Sequence, residues 1–355
     1  MKSKGIMNET VAKRYKGLRI LLICPPNNDY PNSIKQVLES KGAKVHSYDE
    51  RGNPNTLEKV IYRKAPWLLK KKTETYYANI IKEETKFCPN IVLVISPEAI
   101  TKAAVRHMKR AFAKARFIVY LWDSVENKSL DDVILEFDKC FSFDKQDCKK
   151  YGFQFRPLFF SREYYRYAEN ADKTEDKEKT DYKYDFGFIG TIHSDRPLVI
   201  NKIRKYCEKN GLNYFFFCFV QNKLLLVYWM LKSKDVRELH RLHLVHTRSL
   251  PRLESEKKME QTRCVIDVNH PKQSGLTMRT IEMFGLQRKL ATTNKNITKY
   301  DFYNSINQIV IDKDRVVLDL ELIRKPYVKA TEDVYQKYSI DYWVDEVIGV
   351  NRVCN

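Results

Sequence analysis

Along this chain, short apolar runs rich in β-branched and aromatic residues alternate with helical stretches, and the alternation starts afresh after a charged interruption. The first series places strands at 18–24, 44–48, 91–96, 117–122, 139–143 and 155–159, with helical patterns at 33–41, 75–86, 99–114 and 144–151. The second places strands at 186–189, 214–220, 265–268, 289–292 and 308–311, with helices at 197–210, 257–262 and 278–286. Strand-helix alternation of this kind implies parallel sheets with crossover helices. The chain is expected to form two consecutive doubly wound α/β domains.

The chain has 355 residues, which exceeds the usual size of one domain. Between the two series lies ENADKTEDKEKTDYK (169–183), charged and poor in apolar residues, the composition of a linker. The expected division is therefore a first domain over 1–165, a linker over 166–184 and a second domain over 185–330. A tail over 331–355 carries an amphipathic helix, read at 335–350, that can pack back on the first domain.

Lysine and arginine outnumber acids by 64 to 45, a formal charge of +19, so the surface attracts polyanions. Nucleic acid, an anionic membrane leaflet and phosphorylated substrates all meet that condition, and charge does not choose among them. The eight cysteines are scattered singly with no CxxC pair, as expected of reduced cytosolic thiols. The run at 18–24 contains Arg19 and ends at Pro25-Pro26, too short for a secretory signal and suited to a first buried strand. Cytoplasmic residence is the expectation.

The richest stretch is VIDVNHPKQSGLTMRTIEMFGLQRKLATTN, residues 265 to 294. A strand ends at Asn269-His270-Pro271, a polar loop with Gln273, Ser274, Gly275 and Leu276 follows, and a helix starts near Thr277 or Met278. Small residues let a ligand approach the backbone, and the N–H groups opening the helix suit a diphosphate. Arg279 adds fixed positive charge. Glu282, three residues on, shares its helix face and can accept hydrogen bonds from a ribose diol. The bland alternative makes His270 and Gln273 loop caps and Glu282 a solvated helix residue. A second loop, Gly190-Thr191-Ile192-His193, ends a strand before a helix near Pro197, so His193 or Arg196 can meet donor phosphates; Asp195 serves otherwise as an N-cap.

The motifs NHPKQSGLTMRTIE (269–282) with KLATTN (289–294), YDFGFIGTIHSDR (184–196), YLWDS (120–124) and FSFD (141–144) resemble bacterial glycosyltransferases of lipopolysaccharide or capsular polysaccharide biosynthesis, related to the CgeB-like enzymes. The resemblance implies the GT-B architecture, two Rossmann-like doubly wound domains facing a cleft. It also implies that the C-terminal domain holds the nucleotide-sugar donor and the N-terminal domain the glycan or lipid-linked acceptor, with no obligatory metal or further cofactor. Where many members carry a glutamate eight residues before the ribose-binding one, this chain has Ser274; Gln273 is the substitute at hand.

In the first domain the loops CPPNNDY (24–30) and LWDS (121–124) follow strands, and inverting transfer needs a base near the acceptor hydroxyl. Asp29, Asp123 or a histidine can serve, with loop capping as the alternative for each aspartate. Asp312-Lys313-Asp314 invites a metal-dependent reading, but its place late in an α/β domain favours a simple turn. The basic-aromatic segments RKAPWLLKKK (63–72) and NKLLLVYWMLKSK (222–234) suit an anionic membrane surface; Gln221, Asn222 and Lys223 break the second, against a single span and for a strand followed by an interfacial helix. Three further functions stay open: a nucleotide-sugar epimerase of the same fold, a non-catalytic GT-B scaffold that binds polyanions, and a nucleic-acid module. The last lacks zinc spacing, an RNP-like motif or a recognition helix.

Overall fold

The computed structural model describes residues 14–26, 29–55, 58, 61–62, 65–125, 131–165, 182–270 and 273–349. The chain divides into two compact units, one made of Met1–Pro157 with Ile340–Asn355 and the other of Leu158–Ser339. Most of the charged stretch expected as a linker, 166–181, lies outside the described residues.

Unit 1 is built on β1 (Arg19–Ile23), β2 (Lys44–Tyr48), β3 (Ile91–Ile95), β4 (Arg116–Leu121), β5 (Lys139–Ser142) and β6 (Gln154–Phe155). They form one six-stranded sheet in the order β2-β1-β3-β4-β5-β6, every pair parallel. Its helices are α1 (Tyr30–Ser40), α2 (Lys70–Glu84), α3 (Lys102–Ala111), α4 (Asp131–Ile134) and α5 (Lys145–Tyr151). RILLI and IVLVI are apolar almost throughout because β1 and β3 are covered on both faces, and all of β3 is buried. Glu50, fully buried after β2, accepts the backbone N–H groups of Glu98, Ala99 and Ile100 and so fixes the loop that leaves β3.

Unit 2 contains β7 (Tyr184–Thr191), β8 (Tyr214–Phe219), β9 (Val245–His246), β10 (Thr262–Asp267), β11 (Lys289–Thr292) and β12 (Gln308–Val310). The sheet is again six-stranded and parallel, in the order β12-β11-β10-β7-β8-β9. Its helices are α6 (Arg196–Lys209), α7 (Lys223–Lys232), α8 (Lys234–Arg241), α9 (Arg252–Glu260), α10 (Met278–Gly285), α11 (Leu320–Arg324) and α12 (Glu332–Lys337). The sequence reading contained neither β9 nor α8: a two-residue strand is shorter than any alternation pattern, and α8 continues α7 after Ser233 alone.

The single helix read at 335–350 is in fact two, α12 in unit 2 and α13 (Ile340–Ile348) in unit 1. The break has a physical cause. Ser339 forms a parallel bridge with Phe160, whose N–H donates to the Tyr338 carbonyl, so that carbonyl is bonded outside the helix. α13 buries Trp343 against Tyr120, with ring centroids 4.7 Å apart, and its Asp345 carboxylate takes Lys41, Tyr15 and Arg14.

Each sheet has one place where chain winding reverses: between β1 and β3 in unit 1, and between β7 and β10 in unit 2. Loops leaving the carboxyl ends of strands at such a place diverge and leave a crevice, where α/β proteins bind ligands.

Candidate functional site

In unit 2 the two donor loops read from the sequence flank the reversal point. β7 and β10 are hydrogen-bonded neighbours, with Cys264 opposite Phe186 and Val265 opposite Gly187. The loop after β7 carries His193 and the loop after β10 carries His270, and their rings lie 5.3 Å apart between centroids. Two segments separated by more than seventy residues therefore present adjacent imidazoles. Ser194, beside His193, holds a left-handed φ of 48°, a conformation that aims the short turn and costs a non-glycine residue energy.

Near His193 sits Arg196. Its guanidinium donates to the Thr191 carbonyl at 2.8 Å and to the Val268 carbonyl through two nitrogens at 3.1 and 2.5 Å. It thus ties one loop to the other, and burial lowers its pKa. Read from sequence as a phosphate contact, Arg196 is in the first instance a brace. Gly190 is explained by the same brace: a Cβ there would stand 2.7 Å from Phe188 Cζ and 3.2 Å from Arg196 Nη1. Its lack of a side chain serves packing. Burial, aided by the nearby Arg196 and His270, lowers the His193 pKa to about 4. His193 is accordingly neutral at physiological pH, with one ring nitrogen a donor and the other an acceptor.

The carboxylate that organises the other side was not singled out from sequence. Asp267, at the end of β10 and buried, accepts the hydroxyls of Thr277 at 3.0 Å, Thr280 at 3.1 Å and Thr292 at 3.1 Å. It therefore pins the start of α10 and the end of β11 to one strand end. Thr277 also caps α10 by accepting the Thr280 N–H. Read as a donor contact, Thr277 has its hydroxyl engaged as donor and acceptor within the fold. Its hydroxyl places the start of the helix.

KLATTN gains a structural meaning here. Thr293 exchanges hydrogen bonds with Asn269, and Asn294 Nδ2 donates to the Gly275 carbonyl at 3.0 Å and the Ser274 carbonyl at 3.4 Å. Asn296 adds a bond to Ser274 at 3.1 Å. Gln273 closes a turn by donating its N–H to the His270 carbonyl, while Pro271 and Lys272 lie outside the described residues. Leu276 is buried and anchors the loop. The loop is held by its own backbone on an asparagine frame.

Glu282 is buried, with its carboxylate 3.6 Å from the Arg279 guanidinium. That removes the reading of Glu282 as a solvated helix residue. Asp195 stands at the N-cap position of α6 without a capping side-chain bond, and pairs instead with Lys313 at 2.9 Å. The Asp312 carboxylate accepts the Asp314 N–H, closing a turn.

Unit 1 presents a different set. Asp29 has a left-handed φ of 62° and accepts Asn32 Nδ2 at 2.5 Å. Asp123 accepts the Ser96 hydroxyl at 3.3 Å, and Ser96 itself has a φ of 42°. Tyr30 and Trp122, the neighbours of the two aspartates, have ring centroids 6.0 Å apart. Both aspartates therefore lie on loops that meet at the carboxyl end of this sheet. Ser96 was invisible in sequence, since nothing marks a serine that ends a buried strand.

The segment 222–234 forms α7 and the turn after it. Leu226 is buried, while Leu224, Val227, Tyr228 and Leu231 are exposed along the opposite face, with Leu224 at 84%. Among the described residues no helix is long and apolar enough to cross a membrane.

No protein-family model matches the sequence, and no curated protein matches it. Solved structures do match in shape. A trehalose-6-phosphate protein from E. coli bound with UDP-2-fluoro glucose superposes with a TM-score of 0.57 at 10% identity, over 93% of this chain and 98% of that one. Anabaena HepE in complex with UDP-glucose gives 0.56 at 8% identity, over 94% and 98%. The Methanocaldococcus jannaschii UDP-GlcNAc 2-epimerase in complex with UDP-GlcNAc and UDP gives 0.55 at 12% identity, over 94% and 99%. The fold is GT-B. In GT-B terms unit 1 is the N-terminal and unit 2 the C-terminal Rossmann-like domain, and the paired histidine loops belong to the latter.

Proposed function

We propose that this GT-B chain is a glycosyltransferase that moves a sugar from a nucleotide-sugar donor to a glycan or lipid-linked acceptor. The observation that carries the reading is the pair of loops at the β7/β10 reversal point. Neutral His193, His270 and the start of α10 converge there over a frame braced by Arg196 and Asp267. In this reading the donor diphosphate lies against the α10 N–H groups and Arg279, Glu282 accepts the ribose hydroxyls, and Gln273 serves the sugar. The departing diphosphate is stabilised by preorganised donors and fixed charge, so a metal ion is not required. Asp123, oriented by Ser96, takes the acceptor proton, with Asp29 as the alternative base. UDP-sugars bound by structures of the same fold support a uridine donor.

The finer assignment is bacterial surface-polysaccharide synthesis of the lipopolysaccharide or capsule type, CgeB-like, at the cytoplasmic face of an anionic membrane. The exposed Leu224, Val227, Tyr228 and Leu231 stripe on α7, flanked by Lys223, Lys232 and Lys234, supports contact with lipid. Epimerisation is the second reading, because a UDP-GlcNAc 2-epimerase shares the fold.

The test is thermal stabilisation by UDP-, GDP-, CMP- and dTDP-sugars without added metal, for the wild type and Glu282→Ala. Selective stabilisation by one nucleotide, lost in Glu282→Ala, is the expected result. No stabilisation by any of them would overturn the donor site. Conversion of the donor with no acceptor present would replace transfer by epimerisation.

A further inference from the structure

Unit 1 contains a second feature that the transfer reading does not use. A hollow of about 390 Å³ opens between the start of α2 and one face of α3, lined by Lys70, Thr101, Lys102, Ala103, Arg106 and Arg110. Four of those six side chains are cationic. Lys102, Arg106 and Arg110 follow one another at four-residue spacing on one face of α3, and Lys70 reaches in from the first residue of α2. Glu136 answers two of the four, pairing with Arg106 at 2.9 Å and Lys102 at 3.5 Å. The hollow therefore keeps an excess of positive charge.

Helix dipoles sharpen the point. The amino end of a helix carries partial positive charge and favours acidic neighbours, yet α2 opens with Lys70, Lys71 and Lys72 and has no acid in its first turn. α3 likewise has no acid in its first turn and begins with Lys102. Four cations lining one opening, with Glu136 answering only two of them, are unfavourable in isolation and suit a bound anion. Thr101, whose hydroxyl caps α3 by accepting the Ala104 N–H, fixes the rim.

What the anion is attached to is suggested by the turn that leads into Lys70. Pro66–Leu69 forms a 3-10 turn in which Trp67 is 68% and Leu68 67% exposed. An exposed Trp-Leu pair one turn from a cationic hollow matches the boundary between lipid headgroups and acyl chains, where indole rings settle and lysines reach phosphate. A soluble phosphate leaves that pair without a role.

We propose that the hollow between α2 and α3 binds the phosphate of an anionic phospholipid, with Trp67 and Leu68 entering the headgroup–acyl boundary of the bilayer. The site is separate from the donor loops and from α7, and it stands whether or not the chain transfers sugar.

The experiment is sedimentation of the full chain with vesicles of phosphatidylcholine alone and of phosphatidylcholine with phosphatidic acid. It compares wild type, Arg106→Gln/Arg110→Gln, Trp67→Ser/Leu68→Ser and a charge-matched control, Lys114→Gln/Lys149→Gln, on the exposed surface of the same unit. The expected result is binding to the anionic vesicles only, weakened at least about tenfold in both site variants and less than about threefold in the control. All substituted side chains are exposed or partly so, and unchanged melting temperatures will show that the fold is kept. Equal loss in the control and the arginine variant would overturn the site in favour of diffuse charge. Unchanged binding of the Trp67/Leu68 variant, or abolition of binding by millimolar inorganic phosphate, would replace lipid by a free anion. Tighter binding to a single-stranded oligonucleotide that also depends on Trp67 would replace it by nucleic acid. Donor-induced stabilisation is read on the same samples; its failure bears on the transfer reading and leaves this one standing.

Discussion

Where the sheet of unit 2 reverses its winding, the chain gathers His193, His270 and the start of α10; at the corresponding place in unit 1 it gathers Asp29, Ser96 and Asp123 beside Tyr30 and Trp122. The scaffolds are alike, each a six-stranded parallel sheet, and the loops at the reversal points differ. In unit 2 the buried carboxylate of Asp267 is turned inward on three hydroxyls. In unit 1 two carboxylates stand on loops whose neighbouring rings, Tyr30 and Trp122, lie 6.0 Å apart between centroids. One architecture thus carries different side chains at its two reversal points, and in the proposed reading the donor diphosphate is assigned to the first and the acceptor hydroxyl with its base to the second.

The largest expected effect breaks the frame of the anion site. Asp267→Ala leaves the hydroxyls of Thr277, Thr280 and Thr292 without their shared acceptor in a buried place, and the loss should be about 3 kcal/mol in unfolding free energy. Donor-induced stabilisation should disappear with it, because α10 loses its anchor. Thermal unfolding with and without donor measures both, and a variant that melts with the wild type would show that the threonines hold the helix unaided. The counterpart in unit 1 is Asp123→Asn. It should lower turnover about 100-fold while leaving donor stabilisation intact, and the smaller response is expected from Asp29→Asn. Equal, small effects from both would move the base elsewhere.

The architecture was legible because parallel strands covered on both faces must be largely apolar: RILLI and IVLVI stand out against their surroundings and the helices fall between them. The glycine-containing loop and the Gly190-Thr191 turn were legible for the same reason, as polar punctuation after such runs. What each side chain does was less so. Arg196 looks like a phosphate ligand in sequence, and only the approach of Val268, seventy-two residues on, shows it bracing two carbonyls. Asp267 reads as one residue inside the strand at 265–268 until β11 brings Thr292 beside it. The break between α12 and α13 depends on Phe160, far away along the chain, whose pairing with Ser339 no local pattern announces.

A smaller effect separates packing from site within one strand. Ala at Gly190 would place a methyl 2.7 Å from the Phe188 ring and 3.2 Å from Arg196, and Ala at Gly187 would place one 2.6 Å from Thr262 Oγ1. Each should cost about 1–2 kcal/mol through overpacking. Only Gly190→Ala should also weaken donor stabilisation, because it displaces the arginine that joins the two loops. The same loss in both variants would mean that the loops respond to stability in general and that Arg196 has no special hold on them.

The smallest effect tests the charge of the anion site through pH. Burial, with Arg196 and His270 nearby, keeps His193 unprotonated down to about pH 4, whereas an ordinary histidine titrates near 6.5. Between those values the unfolded chain binds a proton that the folded chain does not, so this group makes stability fall as pH falls from about 6.5 towards 4. His193→Gln removes that contribution, and its melting temperature should decline less over this window while matching the wild type's pH response above 7. A nucleoside diphosphate bound beside the ring would favour the imidazolium and raise its pKa, so saturating UDP should flatten the wild-type profile and leave that of His193→Gln parallel to its ligand-free curve. Profiles that UDP shifts equally in both proteins would place the diphosphate away from this loop, and the contrast between the two halves would then rest on α10 and Arg279 alone.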